Sequence, residues 1–278
     1  QDRELSGWWR YTDVRSGPQV RTGLGGTMKL LAASMQSGML ASMPSLSAVM
    51  DERERSVCAG IDSEPVRLQA LASAILKRYL LSAYAHGNVR PRDWVFETGW
   101  EGKPVLSGRF SHLHLHFNVS HCDDLFVMAV QRQAPVGIDV EPLDAVIDDM
   151  TAQTLFTAEE LRLMRQLAQP DQKPPRVRLW TLKEAYLKFL GVGLQKDPRD
   201  FDISTLIGSD PNPAGSDSAD SFLSTWTLQL LGSSYSLSVA RFETSAVGSE
   251  EAIFCFATAD ELRAGAGHRV RLQRETMT

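Results

Sequence analysis

Cysteine is scarce in this chain. Cys58, Cys122 and Cys255 are odd in number and far apart, which excludes a disulfide framework and a paired zinc-ligand spacing and points to a reducing compartment, the cytoplasm. Long apolar runs are missing as well. The most apolar stretch, Met28 to Met50, is broken by Ser34, Gln36, Ser37, Ser42, Ser45 and Ser47, well short of the ~20 apolar residues that span a bilayer. The polar stretch before it is unlike a signal peptide. Positive charge is not in excess either: 29 Lys+Arg stand against 34 Asp+Glu, a net charge of -5. The average surface therefore gives no reason to expect nucleic acid or a membrane as partner. What remains is a globular chain of 278 residues, 43% of them hydrophobic, enough for one large domain or two small ones. It opens on Gln1 rather than Met, as a processed or excised piece of something longer would.

Residues 1–27 are polar and glycine-rich, which predicts an extension or linker, poorly ordered and outside the fold. Met28 to Ala33 predicts a first strand. Over 64–86, Leu68, Leu71, Ala72, Ile75, Leu76 and Tyr79 recur at helical spacing, with Pro65 near the start and Gly87 after the end. Strands are predicted for Trp94 to Glu97, for the alternating 112–119 segment HLHLHFNV, for Leu125 to Gln131 and for Val136 to Val140. Phe156 to Ala168 predicts a helix opened by a Thr157–Glu160 capping box, and 176–190 a second one, stopped by Gly191 and Gly193. Residues 207–220 predict a loop; Trp226 to Leu231 and Tyr235 to Phe242 predict an antiparallel pair. The charged tail beyond about 262 is expected to fray. This mixed order predicts α+β.

Four segments carry chemistry. In Gly137-Ile138-Asp139-Val140-Glu141, strand alternation turns Asp139 and Glu141 to one face. Two close acids need a partner, and a hard cation with oxygen ligands would serve; alone, the pair reads as readily as two solvated acids at a strand end. In Trp180 to Lys188, Glu184 and Lys188 stand i,i+4 on one helix face, which is either a surface ion pair or a carboxylate for a metal and a lysine for a phosphate. Phe117-Asn118-Val119-Ser120-His121 offers phosphate contacts or a polar turn. Gly102-Lys103-Pro104 presents a lysine on a turn. His112, His114 and His116 alternate and raise a minor metal alternative.

Together and in this order, G-K-P, F-N-x-S-H, G-I-D-x-E and W-x-x-K-E-A-x-x-K resemble the 4'-phosphopantetheinyl transferase superfamily, nearest its larger, surfactin-synthetase-activating type, over about residues 50–245. The resemblance implies two similar α/β lobes related by a pseudo-two-fold axis, each a small antiparallel sheet packed on a long helix. They would cover 28–134 and 135–262, with a tail at 263–278. It implies transfer of phosphopantetheine from coenzyme A to a serine of an acyl or peptidyl carrier protein in fatty acid, polyketide or nonribosomal peptide biosynthesis, releasing 3',5'-ADP. It further implies Mg2+ or Mn2+ on Asp139, Glu141 and Glu184, with Glu184 or a water beside it as base for the carrier serine. Lys188 would contact the diphosphate, Ser120 and His121 other coenzyme A phosphates, and Lys103 and Pro104 the adenine and 3'-phosphate. Arg53, Arg67, Lys77 and Arg78 are weaker candidates for that phosphate. Arg162, Arg165, Lys173, Arg176 and Arg178 are candidates for an acidic carrier. Two lobes on one chain favour a monomer, free-standing or as a domain of a larger synthase. A Mg2+-dependent phosphohydrolase and a non-catalytic carrier-docking module are the alternatives.

Overall fold

The computed structural model describes residues 28–99, 103–122, 124–167, 176–192, 196–207, 221–242 and 252–275. The 1–27 extension, Gly102, Lys173, Gly193 and nearly all of the 207–220 loop lie outside them.

The first half runs β1 (Lys29–Ser34), α1 (Ser37–Leu46), α2 (Glu52–Ala59), α3 (Glu64–Tyr84), β2 (Phe96–Thr98), β3 (Pro104–Leu106), β4 (Leu115–Cys122) and β5 (Leu125–Arg132). The second runs β6 (Val136–Pro142), α4 (Asp149–Leu155), α5 (Ala158–Leu167), α6 (Arg176–Leu190), β7 (Ser221–Leu230), β8 (Ser233–Phe242), β9 (Ala252–Phe256), α7 (Ala259–Ala264), β10 (His268–Arg271) and β11 (Gln273–Glu275). The mixed α+β content expected from the sequence is what the chain adopts.

Five strands form one sheet in the order β10-β9-β1-β5-β4, and four form another, β11-β7-β8-β6. In each, an opening strand (β1 or β6) is followed by helices and a hairpin (β4–β5 or β7–β8). The hairpin's second strand then pairs antiparallel with the opening strand. Strand alternation sorts the side chains into layers. Leu30, Ala32, Val127, Ile138, Val140, Leu237 and Val239 face inward and fill the space between the sheets. Leu31, Met128 and Val130 face outward onto Ile75, Leu76 and Leu80 of α3. On the outer face of the other sheet, α6 packs Ala185 and Phe189 against Ala240. β5 is buried on both faces over Leu125 to Gln131, which is why it reads as a continuous apolar run.

Several expectations need correction. The 112–119 alternation is not all strand: Gly108–Leu113 is 3-10 helix, His114 is left-handed at φ 48°, and β4 starts only at Leu115. Phe110, buried against Trp94 at 4.9 Å between ring centroids, draws the segment into the core. His112, His114 and His116 consequently share no strand face, and the histidine metal reading falls. α1 and α2 were not predicted, because serines dilute the apolar spacing of Met39, Met43 and Leu46. α2 is announced instead by an Asp51–Glu54 capping box. The tail does not fray at 262. Thr258 and Glu261 cap α7, Gly265 ends it in the left-handed conformation, and β10 and β11 follow. β9 lies parallel to β1 rather than within the second sheet, burying Ile253 and Cys255 between the layers.

Candidate active site

β4 and β6 are edge strands of different sheets, and side chains rather than a ladder join them. Asn118 Oδ1 accepts from the Ile138 N–H at 2.9 Å. Two residues further along β4 and one along β6, Ser120 Oγ donates to Asp139 Oδ1 at 2.7 Å. The alternation that turns Val136, Ile138 and Val140 inward turns Gly137, Asp139 and Glu141 out towards α6.

Gly137 sets how close α6 comes. A Cβ there would lie 2.0 Å from the Ala185 carbonyl oxygen and 2.5 Å from the Phe189 nitrogen. Only glycine lets helix backbone rest on strand backbone in this way. On the far side, Thr181 Oγ1 bonds the hydroxyls of Ser236 and Ser238 on β8, each at 2.8 Å. The helix is thus pinned over β6 and β8. From the middle of α6, Lys183 reaches Glu160 in the first turn of α5 in a wholly buried pair at 2.5 Å; Glu160 also accepts from the Thr157 and Ile203 N–H groups. This is the capping box the sequence predicts, carrying an ion pair besides.

So held, α6 brings Glu184 and Lys188 over Asp139. Lys188 Nζ donates to Asp139 Oδ1 at 2.6 Å and to Ser120 Oγ at 3.0 Å. Asp139 and Glu184 are 3% and 6% exposed. Burial pushes the Glu184 carboxyl up to about 7; Lys188 opposes the rise, and Asp139 and Glu141 add to it. The three acids therefore stand within one another's field. His121, at the exposed edge, is held below its usual value by burial and by Lys188, against the pull of Asp139.

The donor set suits a hard cation. Asp139 Oδ2 and Glu184 Oε1 are buried and take no hydrogen bond within the protein; burying acid oxygens that way is costly, and a divalent cation with oxygen ligands would satisfy both. Among the described residues no three ligating side chains already stand in coordinating arrangement. The ammonium of Lys188 is the positive charge that Asp139 holds here.

Lys103 stands at the other end of β6. Its Nζ donates to the carbonyls of Lys188 at 2.8 Å and Val136 at 3.3 Å, meeting the negative end of α6. Burial, with Lys188 nearby, lowers it to about 8. Pro104 begins β3, and its partner across the β2–β3 pair, Thr98, accepts from Arg53 Nη2 at 3.3 Å. Arg53 is exposed and so shares this rim. Lys77 does not present a free ammonium: it pairs with Glu54 at 3.3 Å and sits 4.0 Å over the Phe96 ring. Arg78 is fully buried, bonded to Glu54, Asp51 and two carbonyls, and Arg67 holds the Ile61 carbonyl. Both are structural. Arg162, Arg176 and Arg178 engage Glu159, Asp149 and Thr227 respectively. The positioning roles of Asn118 and Gly137, and the ion pair that Lys183 makes with the capping-box residue Glu160, are what the sequence reading did not assign. Strand parity with Ser120 and Asp139 was the available signal for Asn118 and Gly137.

Residues 135–240 match the model of the 4'-phosphopantetheinyl transferase superfamily. The chain is 38% identical over 122 residues to the 4'-phosphopantetheinyl transferase HetI of Nostoc sp., covering 43% of this chain and 50% of that protein. It is 29% identical over 148 residues to the 4'-phosphopantetheinyl transferase gsp of Aneurinibacillus migulanus, covering 53% and 58%. It is 30% identical over 197 residues to the L-aminoadipate-semialdehyde dehydrogenase-phosphopantetheinyl transferase of Eremothecium gossypii, covering 63% and 68%. The chain spans about half the length of the first two.

Proposed function

Because the chain belongs to the 4'-phosphopantetheinyl transferase superfamily, we propose that it moves the phosphopantetheine group of coenzyme A onto a serine of an acyl or peptidyl carrier protein and releases 3',5'-ADP. The observation that carries this reading is the meeting of Asp139, Glu184 and Lys188, from β6 and α6, around acid oxygens that lack partners. Asp139, Glu141 and Glu184 would hold a divalent cation, Mg2+ or Mn2+, which when bound supplies charge neutralisation for a diphosphate.

The chain's own residues do the rest. Lys188, with its stem along α6, turns its ammonium from Asp139 to the diphosphate and offsets charge on the departing ADP. Ser120 and His121 border the same edge and bind phosphate oxygens. Lys103, with Arg53 behind Pro104, receives the 3'-phosphate end. Glu184 takes the proton of the carrier serine as that hydroxyl forms its bond to the β-phosphorus and the bond to the ADP oxygen breaks. Catalysis is mostly positioning on a rigid helix–strand seat.

The parallel arrangement of β1–α3–β4–β5 and β6–α6–β7–β8 supports two related lobes meeting at 134/135, with β9 and β10 completing the first sheet. No helix among the described residues is long and apolar enough to cross a membrane. Incubating the protein with coenzyme A, Mg2+ and an unmodified carrier should add one phosphopantetheine mass to the carrier, and chelation should stop it. Phosphate release with no carrier product would sink the proposal and favour a hydrolase.

A further inference from the structure

Lys103 stands just before β3, whose only ladder is the small β2–β3 sheet. Its ammonium crosses to backbone 33 and 85 residues away, the carbonyls of Val136 and Lys188. Those carbonyls flank the closest point of the helix–strand seat. The Lys188 carbonyl belongs to the same peptide group as the Phe189 nitrogen, which a Cβ on Gly137 would strike at 2.5 Å. The Val136 carbonyl belongs to the peptide group that joins Val136 to Gly137 itself. Lys103 therefore bridges the backbone of α6 to that of β6 at the contact Gly137 permits.

The last turn of α6 needs such a hold. Helix ends carry carbonyls without intrahelical partners, and they fray. α6 ends at Leu190, and the Gly191 N–H reaches the Lys188 carbonyl at 3.3 Å, against 2.8 Å for Lys103. The polar contacts through Thr181 and Lys183 lie more than a turn before Lys188. The bridge also brings two cations together, since the field of Lys188 acts on Lys103. The two carbonyls at the negative end of the helix offset this for Lys103, and Asp139 offsets it for Lys188.

We infer that Lys103 is a positioning residue for the transfer: by tying the end of α6 to the start of β6, it fixes the place from which Lys188 and Glu184 face Asp139. The inference rests on the transferase reading and goes beyond a 3'-phosphate contact. An ammonium has three N–H donors. Two hold the seat, so the residue that receives the 3'-phosphate also sets the geometry of the reacting end.

The test measures kcat and KM of wild type and Lys103→Met by carrier mass gain. The substrates are coenzyme A and 3'-dephospho-coenzyme A, which lacks the phosphate. Lys103→Ala takes the place of the first variant should that not fold. Loss of a phosphate contact alone raises KM for coenzyme A, leaves kcat, and leaves the dephospho substrate untouched. Loss of the bridge should lower kcat at least about tenfold with both substrates, within the ~100-fold that a 1 Å misplacement costs. Wild-type kcat in a folded variant, or a kcat loss confined to coenzyme A, would overturn the inference and leave the transferase reading intact. If wild type turns over coenzyme A alone, kcat at saturating coenzyme A decides. Wild-type protein that modifies no carrier would overturn the transferase reading, and that outcome needs no variant to be seen.

Discussion

Replacing Gly137 by alanine puts the account under direct strain. The new Cβ would sit 2.0 Å from the Ala185 carbonyl oxygen, where ordinary contact begins near 3.4 Å, and 3.0 Å from the Phe189 Cα. These neighbours are backbone atoms and cannot rotate away. α6 would have to withdraw from β6 by more than an ångström, or the strand would have to buckle. Overpacking of this kind costs about 1–3 kcal/mol, which for a chain of this size lowers the melting midpoint by roughly 2–12 °C. The functional loss should be larger than the stability loss, because Glu184 and Lys188 ride on α6 and Asp139 on β6. Misplacement of catalytic groups by ~1 Å costs on the order of 100-fold. Carrier modification followed by mass spectrometry, beside thermal unfolding by circular dichroism, measures both. A Gly137→Ala protein with wild-type transfer rate and midpoint would refute the claim that this glycine seats the helix.

Asp139→Ala and Glu184→Ala should each reduce transfer at least about 100-fold with the far-ultraviolet spectrum preserved, read as carrier mass gain at saturating Mg2+; full activity in either would defeat its assignment. Breaking the buried Glu160–Lys183 pair by Lys183→Met alone should cost about 3–5 kcal/mol in urea unfolding, whereas Glu160→Gln with Lys183→Met, which keeps an acceptor for the Thr157 and Ile203 N–H groups, should recover much of that; equal losses would mean that the charges are not energetically coupled. Burial pushes the Cys255 thiol up to about 12 and also raises Cys58, and the thiolate is the reactive form. Iodoacetamide at pH 8 should therefore label half-buried Cys122 first and leave Cys255 untouched until the protein unfolds, as peptide mapping would show.

Local rules made much of this molecule readable in advance. Helical spacing fixed α3 and α6 nearly to the residue, because each has a long apolar face and a clear stop. The capping box at Thr157 and Glu160 formed as written. Parity alone put Asp139 and Glu141 on one face. What failed depended on distant residues. Nothing near His112 says that Phe110 will be drawn against Trp94 and bend the strand into 3-10 helix. Nothing near 252 says that β9 will leave its neighbours and run beside β1. The arginines at 78, 162, 176 and 178 look available in a linear reading, yet each finds a carboxylate, carbonyl or hydroxyl brought by folding. The partnership of Lys188 with Asp139 and Ser120 spans 49 and 68 residues and only the packing of α6 on Gly137 makes it.

The convergence of acids from two elements is best tested by Mn2+ titration followed by electron paramagnetic resonance in the presence of coenzyme A. Wild-type protein should take up Mn2+, while Asp139→Asn on β6 and Glu184→Gln on α6 should each lose most of that affinity. Undiminished Mn2+ affinity in Glu184→Gln would contradict the account, since the helix would then contribute nothing to the ion.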